Sequence, residues 1–238
     1  VNHFFELLVA QGWLPQLARG IGITLSLAFV TLPFGFGLGL MLALAQNKSA
    51  SSPLRRGAGA VVTLFRALPE LLTIVMVYYG GQLLLTEALR LLGITAQVEV
   101  SAFFAGVVAL SLVIGAFSSE VFRAALAAVP KGQREACHAL GMSPWTGSVR
   151  VLFPQMLRFA LPGLGNLWLV LLKDTALVSV IALPDLMRQT HLAVSATREP
   201  FFFYLLAFLA YLAMSLLSGT VLHRCEARMQ HPYLAGGR

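Results

Sequence analysis

The sequence predicts an all-α membrane protein built on five transmembrane helices. Three observations lead there. Of its 238 residues, 58% are hydrophobic and only 11% charged, where a water-soluble domain carries about 25% charged residues. The mean hydropathy is +0.79. Uncharged stretches recur along the whole chain, and each bilayer crossing consumes about 20 residues, so a single membrane domain over residues 1–238 uses most of the length.

The uncharged stretches run from Ile21 to Ala45, Leu71 to Thr86, Val100 to Ser119, Phe159 to Leu172 and Phe201 to Leu222. At about 1.5 Å rise per residue, the first, third and fifth cross about 30 Å of hydrocarbon unaided. The second is expected to extend backwards through Gly57 to Phe65 once Arg66, Pro69 and Glu70 are admitted. The fourth is expected to extend forwards through Lys173-Asp174 to Leu183. Asn47 to Pro53 reads as a short polar loop, and Pro200 stands at the entrance of the last helix, where a missing N–H costs nothing. Gly20, Gly22, Gly35, Gly37 and Gly39 are read first as ordinary membrane-helix glycines, although Gly35 and Gly39 have the small-xxx-small spacing of close helix contact.

Orientation follows from the 17 Lys and Arg. Lys48, Arg55, Arg56, Arg66, Arg123, Lys131, Arg134, Arg150, Arg158, Arg224, Arg228 and Arg238 fall on one side of these spans, against Arg19, Arg90, Lys173, Arg188 and Arg198 on the other. The richer side is expected to be cytoplasmic, which puts the N-terminus outside and the C-terminus inside. The first residues, Val1 to Glu6, lack the basic region and cleavage site of a secretory signal, so no removed segment is expected. The net charge of +7 is explained by these flanking cations rather than by a nucleic-acid stripe, and no nucleic-acid partner is expected. Cys137 and Cys225 have neither metal-ligand nor disulfide-framework spacing.

Between the third and fourth spans, residues 129–158 form a cytoplasmic loop. Within it the stretch from Val129 to Trp145 reads as a short helix stopped by Gly141, with Ser143 as N-cap and Pro144 in the first turn of the next helix. Ala136, Ala139 and Leu140 recur at helical spacing, with Lys131, Arg134 and Glu135 elsewhere on the surface. A helix of about ten residues is marginal alone in water. From amphipathicity alone, a bed of membrane lipid headgroups and the groove of a partner protein are both open as the surface that orders it.

Here the residues resemble a known family. Glu135-Ala136-Cys137, then three residues to Gly141, then nine to Val151-Leu152-Phe153-Pro154, is similar to the "EAA, three residues, G, nine residues, I-x-L-P" signature of ATP-binding-cassette importer permeases. Cys137 stands for the third Ala, and Val151 and Phe153 for Ile and Leu. The similarity extends to Phe65-Arg66-Ala67-Leu68-Pro69-Glu70, Ser119-Glu120-Val121-Phe122-Arg123, Leu161-Pro162-Gly163-Leu164-Gly165-Asn166 and Leu172-Lys173-Asp174-Thr175-Ala176-Leu177-Val178-Ser179. Taken together, roughly Gly20 to Met229 resembles the polar amino-acid branch, nearest the Q-type subunits of histidine, arginine and opine importers.

The resemblance implies a type I importer permease core in a bacterial inner membrane. It implies that Arg134, Glu135, Ala136, Cys137, Leu140, Gly141 and Pro154 belong to a coupling loop that docks on a cytoplasmic ATPase. ATP and Mg would be bound by that ATPase, with no cofactor in this chain. It further implies two ATPase subunits, a soluble binding protein outside the membrane, and a second permease chain. Related basic amino-acid permeases often carry an acidic residue after the Asn matched by Asn166. Leu167 stands there instead, which favours a different, related second chain over a homodimer.

Charged residues inside a bilayer cost about 2.5 to 3.5 kcal/mol each, so they face protein or water. Arg66 with Glu70, and Glu120 with Arg123, have the spacing of self-neutralising structural pairs. Lys173 and Asp174 are adjacent and point about 100° apart, so they do not neutralise each other. They either mark the outer headgroup region or belong to a transport site, in which Asp174, Thr175, Ser179 and Glu70 would hold the polar, basic amino acid or opine that the resemblance implies. No G-x-x-x-x-G-K-[ST] motif occurs, so this chain is not itself an ATPase. Scattered histidines and the absence of H-E-x-x-H leave no enzyme constellation. A self-sufficient secondary transporter or channel remains the alternative, though five helices without a repeat are an awkward basis for one.

Overall fold

The computed structural model describes residues 8–9, 12–46, 51–94 and 99–234. Every regular element among those residues is helical, with no strand among them. The expected signal-free start at Val1 to Glu6 and the loop residues Asn47 to Ala50 lie outside them. Five helices are long and apolar enough to cross a membrane, α1 (Trp13–Ala45), α3 (Glu70–Leu91), α4 (Ala102–Ala128), α6 (Pro144–Ile181) and α8 (Pro200–Leu234). Three shorter helices connect them, α2 (Ser52–Ala67), α5 (Lys131–Ala139) and α7 (Leu186–Thr197).

α4 is the centre of the bundle. Two thirds of its most apolar stretch is buried, against 11% for α3 and 17% for α8, so the last two present most of their apolar surface to lipid or to a partner. α1 lies along α4 at a distance only glycine permits. A Cβ on Gly39 would stand 2.8 Å from the Gly115 carbonyl oxygen, and one on Gly35 would stand 3.0 Å from Ile114 Cγ2. The close approach lets Ser118 Oγ donate to the Gly35 carbonyl at 3.4 Å. A Cβ on Gly20 would likewise meet Leu186 Cα at 2.8 Å, where α7 crosses α1. The reading of the α1 glycines as incidental therefore holds only for Gly22 and Gly37, which face open space.

α6 runs antiparallel to α4, in a register fixed at both ends. Gly163 admits Val121, whose Cγ1 would be 2.7 Å from an added Cβ, and Gly106 admits Val178 at 3.0 Å. On the α5 side of the Gly163 contact, Phe122, Ala125, Met156, Ala160 and Leu164 belong to one buried cluster, while Leu110, Ile114, Leu171 and Leu172, between the two contacts, belong with Leu27 of α1 to a larger one.

Several expectations are corrected. The first span begins at Trp13 rather than Ile21, because a helix tolerates Arg19 on its exposed face while burying Leu17 and Gly20. The second span does not continue back into Gly57 to Phe65. Leu68 (φ −82°, ψ 141°) and Pro69 (φ −59°, ψ 134°) are extended, since proline sterically disfavours helical backbone in the residue before it and has no N–H to continue the ladder. This break removes the expected Arg66–Glu70 pair. Arg66 instead approaches Glu120 at 3.7 Å, and Arg123 holds the same Glu120 oxygen at 2.8 Å as expected. Pro53 is not in the loop but lies inside the first turn of α2. The fourth span does extend past Lys173-Asp174, but as just over two turns of 3-10 helix (Thr175–Ile181), stopped short of Leu183 by Ala182 in the left-handed region at φ 62°.

Candidate functional site

The loop between α4 and α6 is built to display a rigid helix. Val129 (φ −67°, ψ 124°) and Pro130 (φ −58°, ψ 135°) are extended and separate α5 from α4. At the other end Gly141 sits at φ +66°. Its N–H donates to the His138 carbonyl at 3.0 Å, and the Met142 N–H donates to the Cys137 carbonyl at 3.0 Å. This pair of bonds is a Schellman motif, which satisfies the carbonyls left at a helix end and places glycine where other residues are strained. Ser143 then caps the next helix by accepting the Thr146 N–H at 3.2 Å, with Pro144 in its first turn.

Arg134, Glu135, Ala136, Leu140 and Gly141 are all exposed on this loop, and Leu140 shows 79% of its surface. The expected apolar stripe of Ala136, Ala139 and Leu140 is therefore not buried within the chain. Cys137 is the one α5 residue turned inwards, 7% exposed. Pro154 lies apart from the others on α6, exposed, just beyond a π-helical turn (Ser148–Leu152). Trp145, 78% exposed, extends the apolar surface beyond α5.

The second group lies on α6, toward its far end from α5, with α3 beside it. Asp174 ends the α-helical part of α6 one turn below Val178, which packs on Gly106, itself one turn from the start of α4. At 1.5 Å per residue this sets Asp174 roughly 12 Å inside the end of α4. α3 is seated beside this junction with Thr73 and Ile74 buried, and Glu70, 104 positions earlier in the sequence, comes within electrostatic reach of the half-buried Asp174, as does Lys173. Thr175 and Ser179 differ from the half-buried Asp174 in exposure. Both are buried, and Thr175 Oγ1 donates to the Leu172 carbonyl at 2.7 Å. Lys173 and Asn166 are exposed and seven residues apart, so they lie on one stripe of α6 that shows polar groups at membrane depth. That spacing is the sequence signal that would have linked Asn166 to Lys173.

Sequence reasoning also missed a node at the end of α6. Asp185 is fully buried and caps α7, its Oδ1 accepting the Arg188 N–H at 2.9 Å, while the Leu186 N–H donates to Thr24 Oγ1 of α1 at 3.2 Å. Burial pushes the Asp185 carboxyl up to about 6, against the opposing effect of the Arg188 and Met187 backbone N–H groups. An Asp directly before an apolar helical run was the available sign of this cap. Among the described residues no group of three or more His, Cys, Asp or Glu is placed to hold a metal ion.

A bundle of five spans with a displayed helix on one loop is the architecture of an importer's membrane subunit, and the comparisons agree. The chain belongs to the family of inner membrane components of binding-protein-dependent transport systems, whose model matches residues 35–231. It is 46% identical over 188 residues to the arginine ABC transporter permease protein ArtQ of Escherichia coli strain K12, covering 74% of this chain and 79% of that protein. It is 46% identical over 166 residues to the nopaline transport system permease protein NocQ of Agrobacterium fabrum, covering 69% and 70%. A solved structure of an amino acid ABC transporter with histidines superposes with a TM-score of 0.78 at 32% identity, over 93% of this chain and 98% of that one.

The protein is thus an inner-membrane permease subunit of an ATP-driven importer, without an ATPase of its own. Membership implies a separate ATPase and a substrate-binding protein as partners. It also sets aside the self-sufficient transporter or channel.

Proposed function

We propose that this chain carries a cationic amino acid or an opine across the inner membrane, with Asp174 and Glu70 receiving the substrate's positive groups. The observation that carries the reading is that Glu70 lies within electrostatic reach of the half-buried Asp174, where the first turn of α3 packs on the 3-10 end of α6. Two carboxylates within reach of each other are costly in a bilayer unless they meet a cation. Relatives named for arginine and nopaline transport support the same substrate class. Lys173 then offsets part of the negative charge or meets a substrate carboxylate. Thr175 and Ser179 contribute by holding the helix junction rather than by touching substrate.

The α5 end faces the cytoplasm in this reading, since it carries the larger share of Lys and Arg. Arg134, Glu135, Ala136, Leu140 and Gly141 present the docking surface to one of two ATPases, which bind ATP and Mg. Cys137 holds that surface from behind, and Pro154 belongs to the helix that receives the motion. The extensive uncovered apolar surface of α3 and α8 supports a second permease chain, and Leu167 in place of an acidic residue favours a heterodimer. Closure of the ATPases on ATP shifts the bundle between two access states.

The test is uptake of labelled arginine into vesicles holding the complete importer, with binding protein saturating. A charge-assisted hydrogen bond contributes about 1.5 to 3 kcal/mol, so Asp174→Asn is expected to lower uptake roughly tenfold to a hundredfold. Glu70→Gln is expected to lower it in the same direction. Wild-type rates for both variants at matched protein level refute the assignment of the site.

A further inference from the structure

We infer that a single water molecule is sealed at the junction of α1, α6, α7 and α8, held by Thr24, Thr175, Asp185 and Tyr211. The four side chains come from the four elements and meet in the interior. Thr24, Thr175 and Asp185 show none of their surface to solvent, and the Tyr211 hydroxyl is sealed although its ring is only half-buried. Thr24 Oγ1 accepts the N–H of Leu186, the residue after Asp185, at 3.2 Å. Tyr211 Oη lies beside the Thr24 and Thr175 hydroxyls and within electrostatic reach of Asp185. Yet neither Tyr211 Oη nor Asp185 Oδ2 makes a hydrogen bond of normal geometry with any described residue. Leu172 and Leu186, whose backbone groups bond Thr175 and Thr24, are themselves buried in the larger apolar cluster. Polar atoms in such surroundings are costly unless something bonds them.

The hydrogen bonds left to be made identify the occupant. Thr175 spends its proton on the Leu172 carbonyl, so its oxygen is left to accept. An ionised Asp185 Oδ2 also accepts and cannot donate. Thr24 Oγ1 already accepts from Leu186 and has its proton left to give, and the Tyr211 hydroxyl has its proton to give as well. Two acceptors and two donors are the complement of one water, which brings two protons and two lone pairs. A sodium or potassium ion has no lone pair and would leave both hydroxyl protons without an acceptor. Four bonds to four elements make the water a joint. Thr175 directly follows Asp174, so the joint fastens the start of the 3-10 segment to α1, α7 and α8.

The test begins with the sign of a stability change. If the Tyr211 hydroxyl donates to a bound water, Tyr211→Phe removes a hydrogen bond, and the full chain in detergent micelles is expected to unfold about 2 to 4 °C lower. If that hydroxyl has no partner, its removal relieves a buried polar atom, and an unchanged or higher Tm overturns the inference. The water itself is read by X-ray radiolytic footprinting of the assembled importer, in which hydroxyl radicals formed from bound water label the side chains beside it. Labelling of Tyr211 is expected to fall at least roughly threefold in the Thr24→Val, Thr175→Val double variant, which leaves the water two of its four bonds. Labelling equal to wild type means that the radicals came from bulk solvent, and overturns the inference. A cation in the same place would make Tm depend on the ion supplied. Tm in sodium, potassium and choline chloride of equal ionic strength is expected to agree within about 1 °C, and a rise specific to sodium or potassium overturns the water in favour of an ion.

Discussion

Asp185 gives the most quantitative test of how the junction of α6, α7 and α1 is held. Its side chain is fully buried, one oxygen accepts the Arg188 N–H, and the other has no protein partner. Burial raises its pKa from the ordinary 3.8 to about 6, so the folded chain holds this proton more tightly than the unfolded chain does. Between pH 4 and 6 the folded state then binds more protons, and stability falls as pH rises through that window. One unit is worth 1.36 kcal/mol, so the loss is about 3 kcal/mol in order of magnitude, complete above pH 6. Asparagine keeps the cap, because its side-chain oxygen accepts the same N–H, and removes the charge. Asp185→Asn is therefore expected to match wild type near pH 4 and to exceed it at pH 8. For a chain of this size about 3 kcal/mol corresponds to a Tm higher by roughly 6 to 12 °C. The assay is thermal unfolding in detergent micelles, followed by the fluorescence of Trp13 and Trp168 from pH 4.5 to 8. Because the difference between the two proteins is read, titration of other carboxylates cancels. Parallel curves for variant and wild type would show that burial does not penalise the Asp185 charge and would refute the reasoning.

Three further outcomes are expected. Gly39→Val should cost about 1 to 3 kcal/mol of stability through overpacking, measured as a lower Tm, because its Cβ meets the Gly115 carbonyl and Ser118; Gly37→Val, facing open space, should leave Tm nearly unchanged. Gly141→Ala places a Cβ at φ +66° with nothing near it to clash, so only the left-handed backbone penalty of about 1 to 2 kcal/mol remains; weaker retention of the ATPase at matched permease level is the readout. A cysteine at Leu140, which is 79% exposed, should react with a membrane-impermeant thiol reagent only after cells are opened, and labelling in sealed cells would reverse the proposed orientation.

What the sequence disclosed follows from how local each cause is. The α5 cap was legible to the residue, since Gly141, Ser143 and Pro144 act within one turn of where they stand. The five spans were legible from hydropathy, because every span must be apolar over about 20 residues whatever it packs against. Partner choice was less legible. Arg66 and Glu70 satisfy helical spacing, yet Pro69 ends the helix that the spacing assumes, and Arg66 finds Glu120 on α4. The same proline that broke the expected pair also released Glu70 to begin α3, on the helix that lies against the end of α6. Its electrostatic approach to Asp174 depends on three packing registers, α3 on α4, α4 on α6 through Gly163 and Gly106, and α6 on its own 3-10 segment. None of these is written in either residue's neighbourhood. The sequence could name both carboxylates as costly in a membrane, and only the glycine contacts that set the helix registers decide that the cost falls at one place.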